Sequence, residues 1–242
     1  MKSNDSHYNN LIKIYGLGGF TLIYNNQNMN LKNWTSNKAV KLLKYFILNR
    51  NKEIYKEELI NCFWPEVDFS SGEKRVYNTI YLLRKNIGIK NIIVNNHATY
   101  RFNNNFPIWI EWEKFNELYN CCSQDSSIEE IREAVELYRG DLFPGLRYED
   151  WVENIRNNLK EKQLDLIYKL SEKLYNNDQY LETLNYLNTG ITGDPYREEY
   201  YNLAMKVLAK TCKVHEALSL YLKYKMLLED DLGISPGINI TQ

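Results

Sequence analysis

VYNTIYLLRKNIG, residues 76–88, places Val76, Ile80, Leu83 and Ile87 at the spacing of one helical face. The stretch contains Arg84 and Lys85 but no acidic residue, and Arg75 stands just before it. An ordinary solvated helix mixes both signs. Here the surface away from the apolar stripe carries Arg75, Asn78, Tyr81, Leu82, Arg84 and Lys85. The ends of the helix are marked as well. Ser70 and Glu73 have capping-box spacing upstream, and Gly88 follows the last apolar residue, where a left-handed cap is easily adopted.

The flanking segments place this helix in a larger unit. Downstream, NIIVNNHATYRF alternates apolar and polar residues around Asn95-Asn96-His97, the pattern of a small β-hairpin. Upstream, Lys56 to Phe63 reads as a short helix with Leu59, Ile60 and Phe63 inward, stopped by Pro65. Before that, Thr35 or Ser36 can cap a helix with Val40, Leu43 and Phe46 or Ile47 on one face. Leu11 to Tyr24 suits two short strands around a glycine cluster, the turn-prone NNQNMN follows, and Leu31 to Trp34 can supply a third strand. Gly16, Gly18 and Gly19 are not read as a phosphate loop, because no helix start follows them.

Charge divides along the chain. The 242 residues carry a formal net charge of -1. Residues 1–104 hold 15 Lys+Arg against 7 Asp+Glu, a net of +8, which leaves -9 for residues 105–242. A basic first half suits a polyanion, and two domains, 1–104 and 105–242, are expected. The polar start and the lack of a long apolar run imply neither a secretory signal nor a membrane span, so a cytoplasmic protein is expected. Cys62, Cys121, Cys122 and Cys212 form no CxxC pair, and neither a disulfide framework nor a metal site is expected.

Strands, three helices and a hairpin in this order make a winged helix, whose third helix can enter a major groove while the hairpin reaches the flanking backbone. Arg75-Val76, Ile80, Leu83-Arg84-Lys85 and Ile87 resemble the pattern of the OmpR/PhoB-type DNA-binding domain. Glu58-Leu59, Phe63-Trp64-Pro65 and the wing's Tyr100-Arg101-Phe102 extend the resemblance over about 11–102. Tyr55 and Lys56 depart from that family's usual Ser or Thr cap, and Ala98-Thr99 from its wing glycines. The candidate DNA contacts on the helix are Lys74, Arg75, Asn78, Thr79, Tyr81, Leu82, Arg84 and Lys85. On the wing they are His97, Thr99 and Arg101. Arg and Lys pair with guanine O6 and N7, and Asn with adenine N6 and N7. By position Arg75, Asn78 and Tyr81 are expected nearer bases, Arg84 and Lys85 nearer phosphates.

From Ile128 the pattern is helical. Ser127 and Glu130 form a second capping box before Ile128, Ile131, Val135 and Tyr138. After RGDLFPGLRYEDW a long helix carries Trp151 or Val152, Ile155, Leu159, Leu166, Leu170 and Leu174. Leu174 and Leu208 are 34 residues apart, as are Leu184 and Leu218, the period of tetratricopeptide repeats. Asp194-Pro195 is read as a helix start between the units. The expected fold is therefore mainly α with small β elements: a winged helix followed by an all-α TPR-like domain.

Glu111 to Phe115, Leu137 to Leu142, Asp150-Trp151-Val152, Asp194 to Glu199, and Glu216-Ala217-Leu218 with Asp231 to Pro236 resemble the bacterial transcriptional activator domain (BTAD) of SARP-type regulators. Glu111 stands where that family usually has aspartate. The resemblance implies a transcriptional activator that binds double-stranded promoter DNA, contacts RNA polymerase and forms a homodimer at least on DNA, with no cofactor. No receiver domain is expected before the winged helix and no ATPase or forkhead-associated domain after Ser235, so any signal is expected to act through expression level, a partner or a small ligand. The competing class is a protein-interaction scaffold built on the repeats, with DNA binding secondary or lost. An enzyme is not expected, since HExxH, GxSxG and Walker patterns are missing.

Overall fold

The structure, a computed structural model, describes residues 11–29, 34, 36–89, 91–146 and 148–237. It separates into two units. The first comprises the chain up to Glu111 together with Phe143–Glu153; the second comprises Trp112–Leu142 and Asn154 onward.

In the first unit, β1 (Ile12–Tyr15) pairs antiparallel with β2 (Thr21–Tyr24), Ile14 opposite Leu22. Ile12, Ile14 and Leu22 are buried while Lys13 and Tyr15 alternate to the other face. β3 is Gln27–Asn28, reached through Asn25 and Asn26, both at positive φ. A two-residue loop of this kind matches strand twist, and asparagine tolerates it. The third strand therefore falls inside NNQNMN, whereas most of the expected strand at 31–34 lies outside the described residues.

α1 (Asn37–Leu48) is capped by Ser36, whose hydroxyl accepts from the Ala39 amide at 3.2 Å. Its buried face is Ala39, Leu42, Leu43, Phe46 and Ile47, with Val40 only half-buried. β4 (Ile54–Tyr55) leads into α2 (Lys56–Phe63), whose Leu59, Ile60 and Phe63 are buried. Tyr55 makes no side-chain cap. Glu57 and Glu58 in the first turn face the positive end of the helix dipole instead. Then come α3 (Phe69–Ile87), β5 (Ile93–Asn96) and β6 (Thr99–Phe102). β6 lies between β4 and β5 in a second sheet.

β7 (Ile108–Ile110) returns to pair in parallel with β1. Just beyond it the fully buried Glu111 carboxylate accepts from the Gly16 and Leu17 amides, each at 2.8 Å. Residues 105–111 thus complete the first unit, and so does the loop from Phe143. The Phe143 amide donates to the Gly16 carbonyl at 2.9 Å. The Lys44 ammonium lies over the Phe20 and Phe143 rings at 4.7 and 4.9 Å, Lys41 pairs with Glu149, and Trp151 packs edge-on against Tyr45 at 5.2 Å. Strand pairing and a buried carboxylate carry the first unit to Glu111, past the expected division at 104/105, and a later segment comes back to it.

The second unit is helical: α4 (Glu111–Cys121), α5 (Ile128–Leu137), α6 (Asp150–Asn176), α7 (Tyr180–Gly193), α8 (Glu198–Lys210) and α9 (Val214–Leu232), with the first residues of α4 and α6 counted in the first unit. The Ser127–Glu130 capping box is formed. The 34-residue period is present in the backbone itself. The Gln179 amide donates to Leu174 O at 2.9 Å and Lys213 to Leu208 O at 2.8 Å; Asp178 donates to Tyr175 O and Cys212 to Ala209 O, both at 3.1 Å. Asp178 and Cys212 share φ 59. α8 packs against both α7 and α9. Gly190 permits the α7–α8 approach, since a Cβ there would lie 2.5 Å from Tyr200. Asp194-Pro195 forms the turn rather than the helix start: Asp194 caps α7 and accepts from the Tyr196 amide at 3.1 Å, while α8 begins at Glu198.

Candidate nucleic-acid interface

α3 is held at both ends and along one side. Its N-cap is Asp68, whose carboxylate accepts from the Ser71 amide at 3.0 Å. Those hydrogen bonds from Ser71 draw the Asp68 carboxyl below its ordinary pKa. The Ser70–Glu73 box is not used: the helix is capped two residues earlier, at Asp68, and Glu73 is engaged by Lys56 at 3.0 Å. That bond raises the Lys56 pKa. Gly88 ends the helix at φ 67. Val76, Ile80, Leu83 and Ile87 are buried, and Gly72 faces Ile60 of α2 so closely that a Cβ would lie 2.6 Å from Ile60 Cγ2.

The opposite face is open. Lys74, Arg75, Asn78, Tyr81 and Lys85 are exposed, Leu82 is half-buried, and the three cations have no hydrogen-bond or ion-pair partner among the described residues. Other candidates have different employment. Thr79 is buried, and its hydroxyl donates back to the Arg75 carbonyl at 2.7 Å. The side chain lies on the inner edge of the helix, so it is withdrawn from the contact set. Arg84 turns toward the hairpin, where Nε and Nη2 donate to the Ile93 carbonyl at 3.2 and 2.7 Å. Its guanidinium ties helix to wing instead of standing free for phosphate.

The wing is a two-stranded hairpin with Val94 opposite Arg101 and Asn96 opposite Thr99. His97, at φ 49, is exposed at its tip, and Arg101 is half-buried. β4 joins on the other side, and the Lys56 amide donates to Ala98 O at 3.1 Å. Thr99 is buried and donates to Glu53 at 3.1 Å, so it too leaves the contact set. Between α3 and the wing lies an open cleft of about 410 Å³ lined by Lys56, Glu73, Lys74, Tyr77, Asn78, Asn95 and Tyr100. Tyr77 and Asn95, both exposed, were not singled out from the sequence. The spacing of Tyr77 to Lys74 and Tyr81, three and four residues away on one helix, was the available signal. Burial raises the Tyr100 pKa, so its hydroxyl stays a neutral donor at the cleft floor.

Chemically the surface offers cations, amides and phenols to a polyanion. No group of three or more His, Cys, Asp or Glu side chains converges to hold a metal among the described residues, and no described helix is long and apolar enough to cross a membrane.

Residues 120–242 match the family described as bacterial transcriptional activator domain. Among solved structures the chain is similar to Mycobacterium tuberculosis EmbR, determined in complex with a low affinity phosphopeptide, with a TM-score of 0.75 and 20% identity. The similarity covers 95% of this chain and 63% of that one, so the chain spans less than two thirds of that protein's length. At this identity the likeness concerns the fold. No curated protein sequence matches the chain.

Proposed function

We propose a function from one premise: the chain belongs to the bacterial transcriptional activator domain family, and is a transcriptional regulator of SARP type. On our reading it binds double-stranded promoter DNA in the cytoplasm, with α3 in the major groove and the β5–β6 hairpin against the adjacent backbone. Lys74 and Lys85 engage phosphates, Arg75, Asn78 and Tyr81 read base edges, and His97 and Arg101 follow the flanking strand. Tyr77 and Asn95 extend the contact through the cleft. Leu82 gives an apolar contact, and Arg84 acts as a positioning residue. The helical unit contacts RNA polymerase, and the protein acts as an activator and as a homodimer at least on DNA.

The observation that carries this reading is the exposed face of α3, on which Lys74, Arg75 and Lys85 stand without ion-pair partners among the described residues. Fluorescence anisotropy with the protein's own promoter region tests it. If about 5 phosphates are neutralised per protomer, log affinity falls against log salt with a slope of roughly -4 to -5. Arg75→Ala or Asn78→Ala should lose about 1–3 kcal/mol of discrimination at one base pair, whereas Lys85→Ala weakens all sequences alike. Equal losses for all three on cognate and random DNA would overturn the assignment, and no saturable binding would favour the scaffold.

A further inference from the structure

We infer that α9 is a self-association surface through which two copies of the chain pair antiparallel. Val214, Leu218, Leu222 and Met226 are 65, 55, 48 and 61% exposed. They recur every four residues, forming one continuous ridge of the kind that packs into the grooves of another helix. The other side of α9 is already used: Tyr224 and Leu228 are buried, with Tyr224 stacked on Tyr201 at 4.1 Å between ring centroids. The ridge is therefore a second apolar face on a helix whose first is satisfied, and the largest apolar patch on a monomer is often a functional one.

The occupant follows from charge. α9 carries Lys213 at its N-cap, with no side-chain cap bond, and Glu229, Asp230 and Asp231 in its last turn. The C-terminal end opposes the helix's own dipole, which favours bases there, whereas the N-terminal end mixes Lys213 with the favourably placed Glu216 of the first turn. Local contacts answer this only in part: Lys213 pairs with Glu216 at 3.3 Å, Lys225 with Glu229 at 3.6 Å, and Asp231 accepts from Tyr196 at 2.9 Å. In an antiparallel pair, Lys210 and Lys213 of each copy meet the acidic end of the other, and the two dipoles oppose. A parallel pair would bring like ends together. The two-fold then sets Leu218 against Leu222 and Val214 against Met226. Four such side chains bury on the order of 300–400 Å² per protomer, below the roughly 800 Å² per partner of a stable interface, so the pair is weak.

The proposal does not rest on the DNA-binding reading, and its test contains no DNA. Sedimentation equilibrium of the full chain from about 5 to about 500 µM should show a monomer–dimer equilibrium with a dissociation constant on the order of 10–100 µM. Leu222→Glu should weaken it by about tenfold or more, with an unchanged far-ultraviolet circular dichroism spectrum because the position is solvent-facing. K210E/K213E should weaken it, and adding D230K/D231K should restore it. A chain that stays monomeric throughout, a dimer unaffected by Leu222→Glu, or a fourfold charge swap no stronger than the double change would each overturn the proposal.

Discussion

Replacing Gly72 by alanine adds one methyl group where α2 and α3 cross, and the structure specifies what it meets. The new Cβ would lie 2.6 Å from Ile60 Cγ2, 2.9 Å from Cγ1 and 3.0 Å from Cδ1, whereas apolar carbons rest at about 3.5–4.0 Å. Ile60 is itself buried, so the crossing must open or Ile60 must leave its preferred rotamer. Overpacking of this kind costs about 1–3 kcal/mol, and alanine's better helix propensity offsets up to about 1 kcal/mol. A net loss of about 1–2 kcal/mol corresponds to a fall in Tm of roughly 2–8 °C for a chain of this length. The measurement is a double-mutant cycle by urea unfolding. Ile60→Ala alone removes all three contacting atoms and costs about 2–5 kcal/mol; combined with Gly72→Ala, the total should fall short of the sum by about 1 kcal/mol or more. A Gly72→Ala variant as stable as the parent, or a cycle without coupling, would refute the close approach.

Glu111→Ala strands the Gly16 and Leu17 amides, and at about 1–3 kcal/mol for each unsatisfied donor it should lower stability by roughly 2–6 kcal/mol in urea titrations. Glu111→Gln, which keeps a carbonyl acceptor, should lose less, and equal losses would mean the amides are not what matters. Burial first, and the nearby Lys41 second, push the Lys44 pKa down to about 8 from its ordinary 10.5. Between those values the unfolded chain binds more protons, so stability rises with pH in that window. Unfolding at pH about 7.5 and about 9.5 should show the parent gaining on Lys44→Met as pH rises; a constant difference would show that Lys44 does not titrate there.

The parts of the fold readable from sequence are those decided by neighbours in the chain. Leu59, Ile60 and Phe63 with Pro65 bound α2, Ser127 and Glu130 cap α5, and the Val76–Ile87 stripe faces the core, because each depends on contacts within a few residues. Two cap candidates two residues apart, Asp68 and Ser70, compete at α3, and spacing alone does not choose between them. β4 and β7 are two and three residues long, with partners 44–46 and 96 residues away in the chain, so no local periodicity announces them. The candidate site shows the same limit. The exposed cations follow from the stripe they oppose, but Thr79, Thr99 and Arg84 depend on what packs beside them: an inner helix edge, Glu53, and the Ile93 carbonyl. Tyr77 shares its helix face with Lys74 and Tyr81, but only the neighbouring hairpin makes it a cleft residue.

The return of Phe143–Glu153 to the first unit has a practical corollary for dissecting the protein. A fragment ending at residue 104 would leave one edge of β1 bare, the Gly16 and Leu17 amides unanswered, the Lys44 ammonium without its second ring, and Tyr45 without the Trp151 indole. Such an edge invites sticking to other chains. An autonomous version of this unit must be spliced from two pieces of the polypeptide, and simple truncation experiments that report loss of function would be measuring a damaged scaffold.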